Sequence, residues 1–196
     1  MTNSPIESAA IAQIFESART FRHWRQKPVA DETLRQIYAL LRMAPTASNL
    51  GPGRFLFIRS PEAKAQLLPC VSEGNIPSVT QAPVTVVIAH DLRFYENIPK
   101  LAAWANPDVF VNDASLVEET AFRNSSLQGG YLMIAARALG LDCGPMSGFN
   151  QTAVDQQFFS GSSWKSNFLC TLGYGDTAQL YPRGARLDFD EACRLL

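Results

Sequence analysis

Residues 116–139 read as one long helix, and that stretch constrains the fold more than any other. Its middle is rich in Gly, Ala, Leu and Met, so it is expected to be a central helix. Gly140 sits where a left-handed C′ cap would end it. A chain of 196 residues with a buried helix of this length has room for one domain and one core. No repeat, low-complexity tract or long linker divides it, so residues 1–196 are read as a single domain.

The other elements follow from periodicity and punctuation. Ser4-Pro5-Ile6-Glu7 has the form of a capping box with Pro at the first helical position, ahead of Ile11, Ile14, Phe15 and Ala18 at helical spacing. Asp31 opens a second helix, with Leu34, Ile37, Tyr38 and Leu41 on one face and Pro45 as its stop. Phe55–Ile58 is a short apolar run typical of a strand covered on both faces, and Pro61 starts a short helix through Leu68. Residues 83–89 (PVTVVIA) form the strongest strand signal. Residues 92–114 read as an irregular excursion with a short helix. A short strand, a helix at 150–159, a strand over Phe168–Leu172 and a helix opened by Asp188 complete the chain. The mixture of helices and strands lacks a regular βαβ repeat, GxGxxG and the P-loop pattern. The expected fold is α+β, a central, mostly antiparallel sheet flanked by helices.

Several function classes are disfavoured. Seventeen Lys+Arg against 18 Asp+Glu leave no basic excess for a nucleic-acid backbone. No apolar stretch reaches the roughly 18 residues of a membrane span. The N-terminus lacks the pattern of a secretory signal, and a cytoplasmic location is expected. Cys70, Cys143, Cys170 and Cys193 contain no CxxC pair, and three of them lie in apolar runs, which fits reduced, buried thiols. Only His23 and His90 are present, without metal-ligand spacing, and no GxSxG elbow accompanies them.

Four constellations can carry chemistry. Arg19-Thr20-Phe21-Arg22 offers two guanidiniums and a hydroxyl to a phosphate, or is a solvated basic helix end. Pro45-Thr46-Ala47-Ser48-Asn49 is a turn, or presents hydroxyls, an amide and N–H groups to a polar ligand. Gly144-Pro145-Met146-Ser147-Gly148-Phe149 lets backbone approach a ligand closely, or simply turns. Arg183 and Arg186 follow the last strand, free for an anion or paired at the surface.

Their order and spacing resemble the FMN-dependent nitroreductase family over essentially the whole chain. Glu118–Ser126, Gly144–Phe149, Lys165–Asn167 and Gly173–Asp176 resemble a compact branch of it that includes malonic semialdehyde reductases. The resemblance implies an intertwined homodimer with FMN at the interface. Arg19, Thr20, Arg22 and Arg186 would hold the FMN phosphate. Pro45, Thr46, Ala47, Ser48 and Asn49 would cover the flavin from the second subunit. Asn75 would meet the flavin's polar edge, and Ser147 and Gly148 would place N–H groups by N5 and O4. Hydride would pass from NADH or NADPH through N5 to a small nitroaromatic, quinone or aldehyde acceptor such as malonic semialdehyde, in ping-pong fashion. No separate catalytic side chain is implied. Alternatives are a flavin protein that reacts with oxygen and a cofactor-free dimeric interaction module.

Some positions depart from the family pattern. Ala18 stands where a second arginine is frequent, Gly51-Pro52-Gly53 replaces Gln-Pro-Trp, and Ser78 replaces a frequent lysine. Residues 92–114 match no motif, although Trp104 and Phe110 there, with Phe149, could wall a substrate pocket. Arg54 and Arg123 are charge candidates for an acceptor carboxylate. Gly129 and Gly130 suit close helix packing, between subunits or within one.

Overall fold

The computed structural model describes residues 4–196. Helix α1 (Ser8–Ile11) continues into a π-helical turn over Ala12–Glu16, and α2 spans Asp31–Leu41. Then come β1 (Gly53–Ile58), α3 (Pro61–Leu67), α4 (Ile76–Gln81) and β2 (Val84–Asp91). The 92–114 excursion contains α5 (Ile98–Leu101) and α6 (Asp108–Val111), and α7 runs from Ala114 to Ala138. The chain closes with β3 (Asp142–Met146), α8 (Gln151–Phe158), β4 (Trp164–Gly173) and α9 (Phe189–Ala192).

The four strands form one antiparallel sheet in the order β1-β2-β4-β3. Every residue of β2 is buried, because strands flank it on both edges and helices cover both faces. Its side chains alternate between two cores. Val84, Val86 and Ile88 pack with α2 and α7, including Ile37, Leu41 and Leu132. Val87 and Ala89 pack with Leu67 of α3 and Val154 of α8. The molecule is thus three layers, with the sheet in the middle.

Asp113 caps α7 by accepting from the Leu116 N–H at 2.9 Å, and Gly140 ends it in the left-handed region at φ 77°. Gly129 and Gly130 separate in role. A Cβ on Gly129 would meet the Phe168 ring at 2.5 Å, so this glycine lets α7 lie against β4. Gly130 has no neighbour within 4 Å of that position and faces outward. Asn167 has no partner across β2, where the register shifts between Ile88 and Ala89, and donates to Ser125 and Ser126 of α7 at 2.9 Å each.

Three sequence expectations need correction. Helix α1 starts at Ser8 after Glu7, and no side chain caps it, so the Ser4–Glu7 pattern forms no capping box. The capping box lies at the other end of the chain, between Asp188 and Glu191. Strand β1 is a sheet edge with mostly half-buried residues, so its apolar run does not mark a strand covered on both faces. The excursion holds two short helices and a 3₁₀ turn, packed through Phe94, Ile98 and Phe110 on Leu50 and α7.

Candidate active site

The arginine motif is fixed by the sheet. Thr20 bridges Cys143 in parallel, and the Phe21 N–H donates to the Cys143 carbonyl at 3.0 Å. Trp24 bridges Gly175, and its indole N–H donates to Ser78 Oγ at 3.1 Å. The segment therefore threads between the start of β3 and the exit of β4. The C-terminal strand of coil returns across it. Arg19 donates to the Tyr181 carbonyl, and Arg183 donates to the carbonyls of Glu16 and Ala18 at 2.7 and 3.0 Å.

A cavity of about 530 Å³ opens there. Arg19, Arg22, Arg137, Arg183 and Arg186 line it with Thr20, and no carboxylate does. None of the five guanidiniums is within 4 Å of a carboxylate among the described residues. Arg186 donates only to the carbonyls of Gly184 and Ala185 in its own loop, and the buried Nε of Arg137 has no acceptor. Concentrated positive charge without a protein counter-ion is what a phosphate dianion needs.

The second cluster lies at the far end of β3. The Asn75 amide donates to the Gly148 carbonyl at 3.0 Å, and that carbonyl also accepts the Ser72 N–H at 3.0 Å. Val71 bridges Phe149, which holds the Ser147–Gly148 turn against the loop before α4. The N–H groups of Ser147 and Gly148 donate to no described residue, and Asn75 keeps its amide oxygen free. Three hydrogen-bonding groups without described partners therefore lie in this turn and in the loop held against it.

The third segment stands apart. Ser48 and Asn49 take left-handed φ values of 47° and 56°, and Gly51 follows at 50°. Such non-glycine residues cost about 1–3 kcal/mol each and persist only where surroundings impose them. Here Asn124 Oδ1 accepts the Ala47 N–H at 2.7 Å, Thr46 Oγ1 accepts the Gly51 N–H at 3.1 Å, and Asn49 donates to the Leu101 carbonyl at 2.7 Å. Pro45 precedes the turn and is exposed. Ser48 keeps both its N–H and its hydroxyl free of described partners. No hydrogen bond joins Pro45–Asn49 to either of the other two clusters within the chain.

The Nitroreductase family model matches residues 15–174. The chain belongs to the nitroreductase family. A relative from Rhodopseudomonas palustris, provisionally named NADH dehydrogenase/NAD(P)H nitroreductase, is 51% identical over 195 residues, covering 99% of this chain and all of that one. Two solved structures share the fold over the whole of both chains. One is a provisionally named NAD(P)H:FMN oxidoreductase of Staphylococcus epidermidis (TM-score 0.86, 19% identity). The other is a provisionally named nitroreductase of Exiguobacterium sibiricum in complex with FMN (TM-score 0.83, 22% identity).

Against the nitroreductase pattern, two departures acquire a physical account. Gly53 is closed off by Gln128 of α7, whose Oε1 accepts the Gly53 N–H at 2.7 Å and would lie 2.5 Å from a Cβ. Ser78 is buried and engaged by Trp24, so its side chain faces the core. Arg54 is not free for a substrate: it pairs with Asp91. Arg123 pairs with Glu119 one turn away on the surface of α7. Arg137 and Arg183 were not among the expected phosphate-site residues. Arg137 has no local signal, because it reads as one more residue of a long helix. Arg183 lay beside Arg186 in the same loop, and only the returning chain path separates their roles.

Proposed function

We propose that this nitroreductase-family chain is an FMN-dependent NAD(P)H oxidoreductase acting on a small organic acceptor. The observation that carries this reading is the pairing of two sites by one strand. Five guanidiniums without a carboxylate gather near the start of β3, and free N–H groups of Ser147 and Gly148 stand just past its end. Arg19, Thr20, Arg22 and Arg186 would hold the FMN phosphate, joined by Arg137 and Arg183. Asn75, Ser147 and Gly148 would meet the polar edge of the ring. When bound, FMN supplies a two-electron carrier between NAD(P)H and the acceptor. The N–H donors of Ser147 and Gly148 steady electron density that accumulates beside them. With orientation and exclusion of water as the protein's main tasks, the lack of a catalytic His/Asp pair is no obstacle.

The same reading places Pro45, Thr46, Ala47, Ser48 and Asn49 over the flavin of a second copy. Two features support a homodimer. The strained turn has free groups at Ser48 but no ligand-binding neighbour in its own chain. The outward side of α7 carries exposed Phe122, Leu127 and Tyr131 beside Gly130, around an apolar groove of about 670 Å³. No helix among the described residues is long and apolar enough to cross a membrane. Acceptors that fit the reading are nitroaromatics, quinones and aldehydes such as malonic semialdehyde.

The deciding experiment is the absorbance spectrum of the purified protein before and after anaerobic NADH or NADPH. Flavin bands that bleach support the reading, and an acceptor screen under the same conditions ranks substrates. Reoxidation by oxygen alone, with every organic acceptor inert, would favour an oxygen-reacting flavoprotein. Protein that stays colourless after FMN is supplied would overturn the reading.

A further inference from the structure

Nine of the chain's 17 lysines and arginines line two cavities, although the formal net charge is -1. Five belong to the arginine cavity described above. The other four, Arg25, Lys27, Arg59 and Lys64, line a second cavity of about 660 Å³. Both open at the same end of the sheet. Arg59 follows the last residue of β1, Pro83 precedes the first of β2, and Tyr174 follows the last of β4. The Thr20–Cys143 bridge places the arginine motif at the start of β3, on that same end. Trp24, buried with Phe21 and Ala82 and packed by Leu180, lies in the chain between Arg22 of one cavity and Arg25 of the other.

The four cations come from two stretches of chain, residues 25–27 and 59–64, and most are held in place. Lys27 sits over the Tyr174 ring, its Nζ 3.8 Å from the centroid. Arg59 donates to the Val29 carbonyl at 3.0 Å and pairs with Asp31. Lys64 is half-buried and donates to the carbonyls of Ala82 and, at 3.4 Å, Thr80. No carboxylate lines the cavity, and Asp31 beside Arg59 is the one acid in contact with any of these cations among the described residues. Lys64 in particular holds its charge against carbonyl dipoles alone, and burial pulls its ammonium below the ordinary lysine range. A half-buried cation without a counter-ion is stabilised by an anion that arrives. Side chains already ordered lose little further entropy when it does.

We propose that this second cavity binds a phosphate-bearing small molecule, with a pyrophosphate group of the kind found in nucleotides as the chemistry it fits. Four cations, one of them already paired with Asp31, carry more positive charge than a single phosphate balances, and two linked phosphates supply the matching charge. Gln26, Gln81 and Ser60 in the wall offer neutral partners to the rest of the ligand. The site is independent of the flavin reading, since none of its residues lines the arginine cavity.

Isothermal titration of the full-length protein, supplied with excess FMN, tests this with inorganic pyrophosphate and with ADP. One binding event per chain is expected. Arg25→Gln and Lys64→Met should each weaken it by about tenfold or more, while Arg186→Gln, in the other cavity, should leave it unchanged. Arg25 is exposed, so its variant keeps the test open should Lys64→Met fail to fold. ADP tighter than pyrophosphate would identify a nucleotide ligand, and equal affinity a phosphate chain from another source; both support the site. No binding at millimolar pyrophosphate would overturn it. So would binding that Arg186→Gln abolishes and Arg25→Gln spares, because the anion would then sit in the arginine cavity.

Discussion

The Arg54 guanidinium meets the Asp91 carboxylate at 2.7 Å, and its other terminal nitrogen donates to the carbonyls of Gly51 and Gly53 at 3.0 Å each. One side chain thus ties the exit of the strained Ser48–Gly51 turn to the end of β2. Asp91 also accepts from Ser163 Oγ at 2.6 Å and the Arg93 N–H at 2.9 Å. Arg54→Met would strand a mostly buried carboxylate with two neutral donors. The expected loss is about 2–3 kcal/mol, below the 3–5 kcal/mol of a fully buried pair because Arg54 is partly exposed. Thermal denaturation should show the Tm down by about 5–10 °C.

Gly53 and Gln128 should be energetically coupled. A methyl group at position 53 meets the Gln128 amide, which is buried and has little space to yield. Gly53→Ala alone is expected to lose about 1–3 kcal/mol. The double variant with Gln128→Ala should lose less than the sum of the two single changes, as read from urea midpoints. Strict additivity would show that Gln128 does not set the space at Gly53.

Arg186→Gln removes a cation whose only hydrogen bonds are to its own loop, so the fold should be little affected. FMN affinity, followed by quenching of flavin fluorescence, is expected to fall by about 10- to 100-fold, the range of one charge-assisted hydrogen bond. Riboflavin, which lacks the phosphate, should bind the variant and the parent equally. An equal loss for both flavins would mean that Arg186 acts on the ring or on folding.

His90 is buried with an unpartnered Nδ1, edge-on to Phe122. Burial pushes its pKa below the ordinary histidine value, outweighing the pull of Asp155, Glu118 and Asp91. The unfolded chain then takes up the proton first as pH falls. The contribution of His90 to stability is complete above about pH 6.5 and is lost as pH drops through the lowered folded value. Urea midpoints for the parent should decline from pH 7.5 to 5.5 more steeply than those of His90→Gln. Parallel slopes would assign the acid sensitivity to other groups.

Thiol reactivity should split one against three. Cys193 is exposed, while Cys70, Cys143 and Cys170 are buried. The Cys143 thiol beside it, together with burial, raises the Cys170 thiol, and burial raises Cys70. A chromogenic disulfide reagent should modify one thiol quickly in the native protein and all four in denaturant.

What could be read from the sequence was whatever is written locally. Leu34, Ile37 and Leu41 of α2 are buried as their spacing required, although Tyr38, expected on the same face, is exposed, and β2 is buried along its whole length. Gly140 ends α7 as its position suggested. The arginine motif was legible for the same reason, since Arg19, Thr20 and Arg22 are close in sequence and face one cavity. The rest depends on pairings across long separations. Nothing near Arg54 announces Asp91, 37 residues on, and nothing near Gly53 announces Gln128. The capping-box pattern at Ser4–Glu7 failed because a favourable cap needs a helix that packs from that point, and α1 only begins at Ser8.

Strand β3 acts as a gauge. From Cys143, beside the arginine motif, to Ser147 is four residues, or about 13 Å of extended chain. On the proposed flavin reading, a cofactor tail that satisfies both ends would have to match that spacing, so the strand would select for tail length as well as for the charge at its tip. Lengthening β3 by one residue would move the two ends about 3.3 Å apart and turn every later side chain to the opposite face. The protein should therefore tolerate changes of side chain along β3 far better than any change in its number of residues.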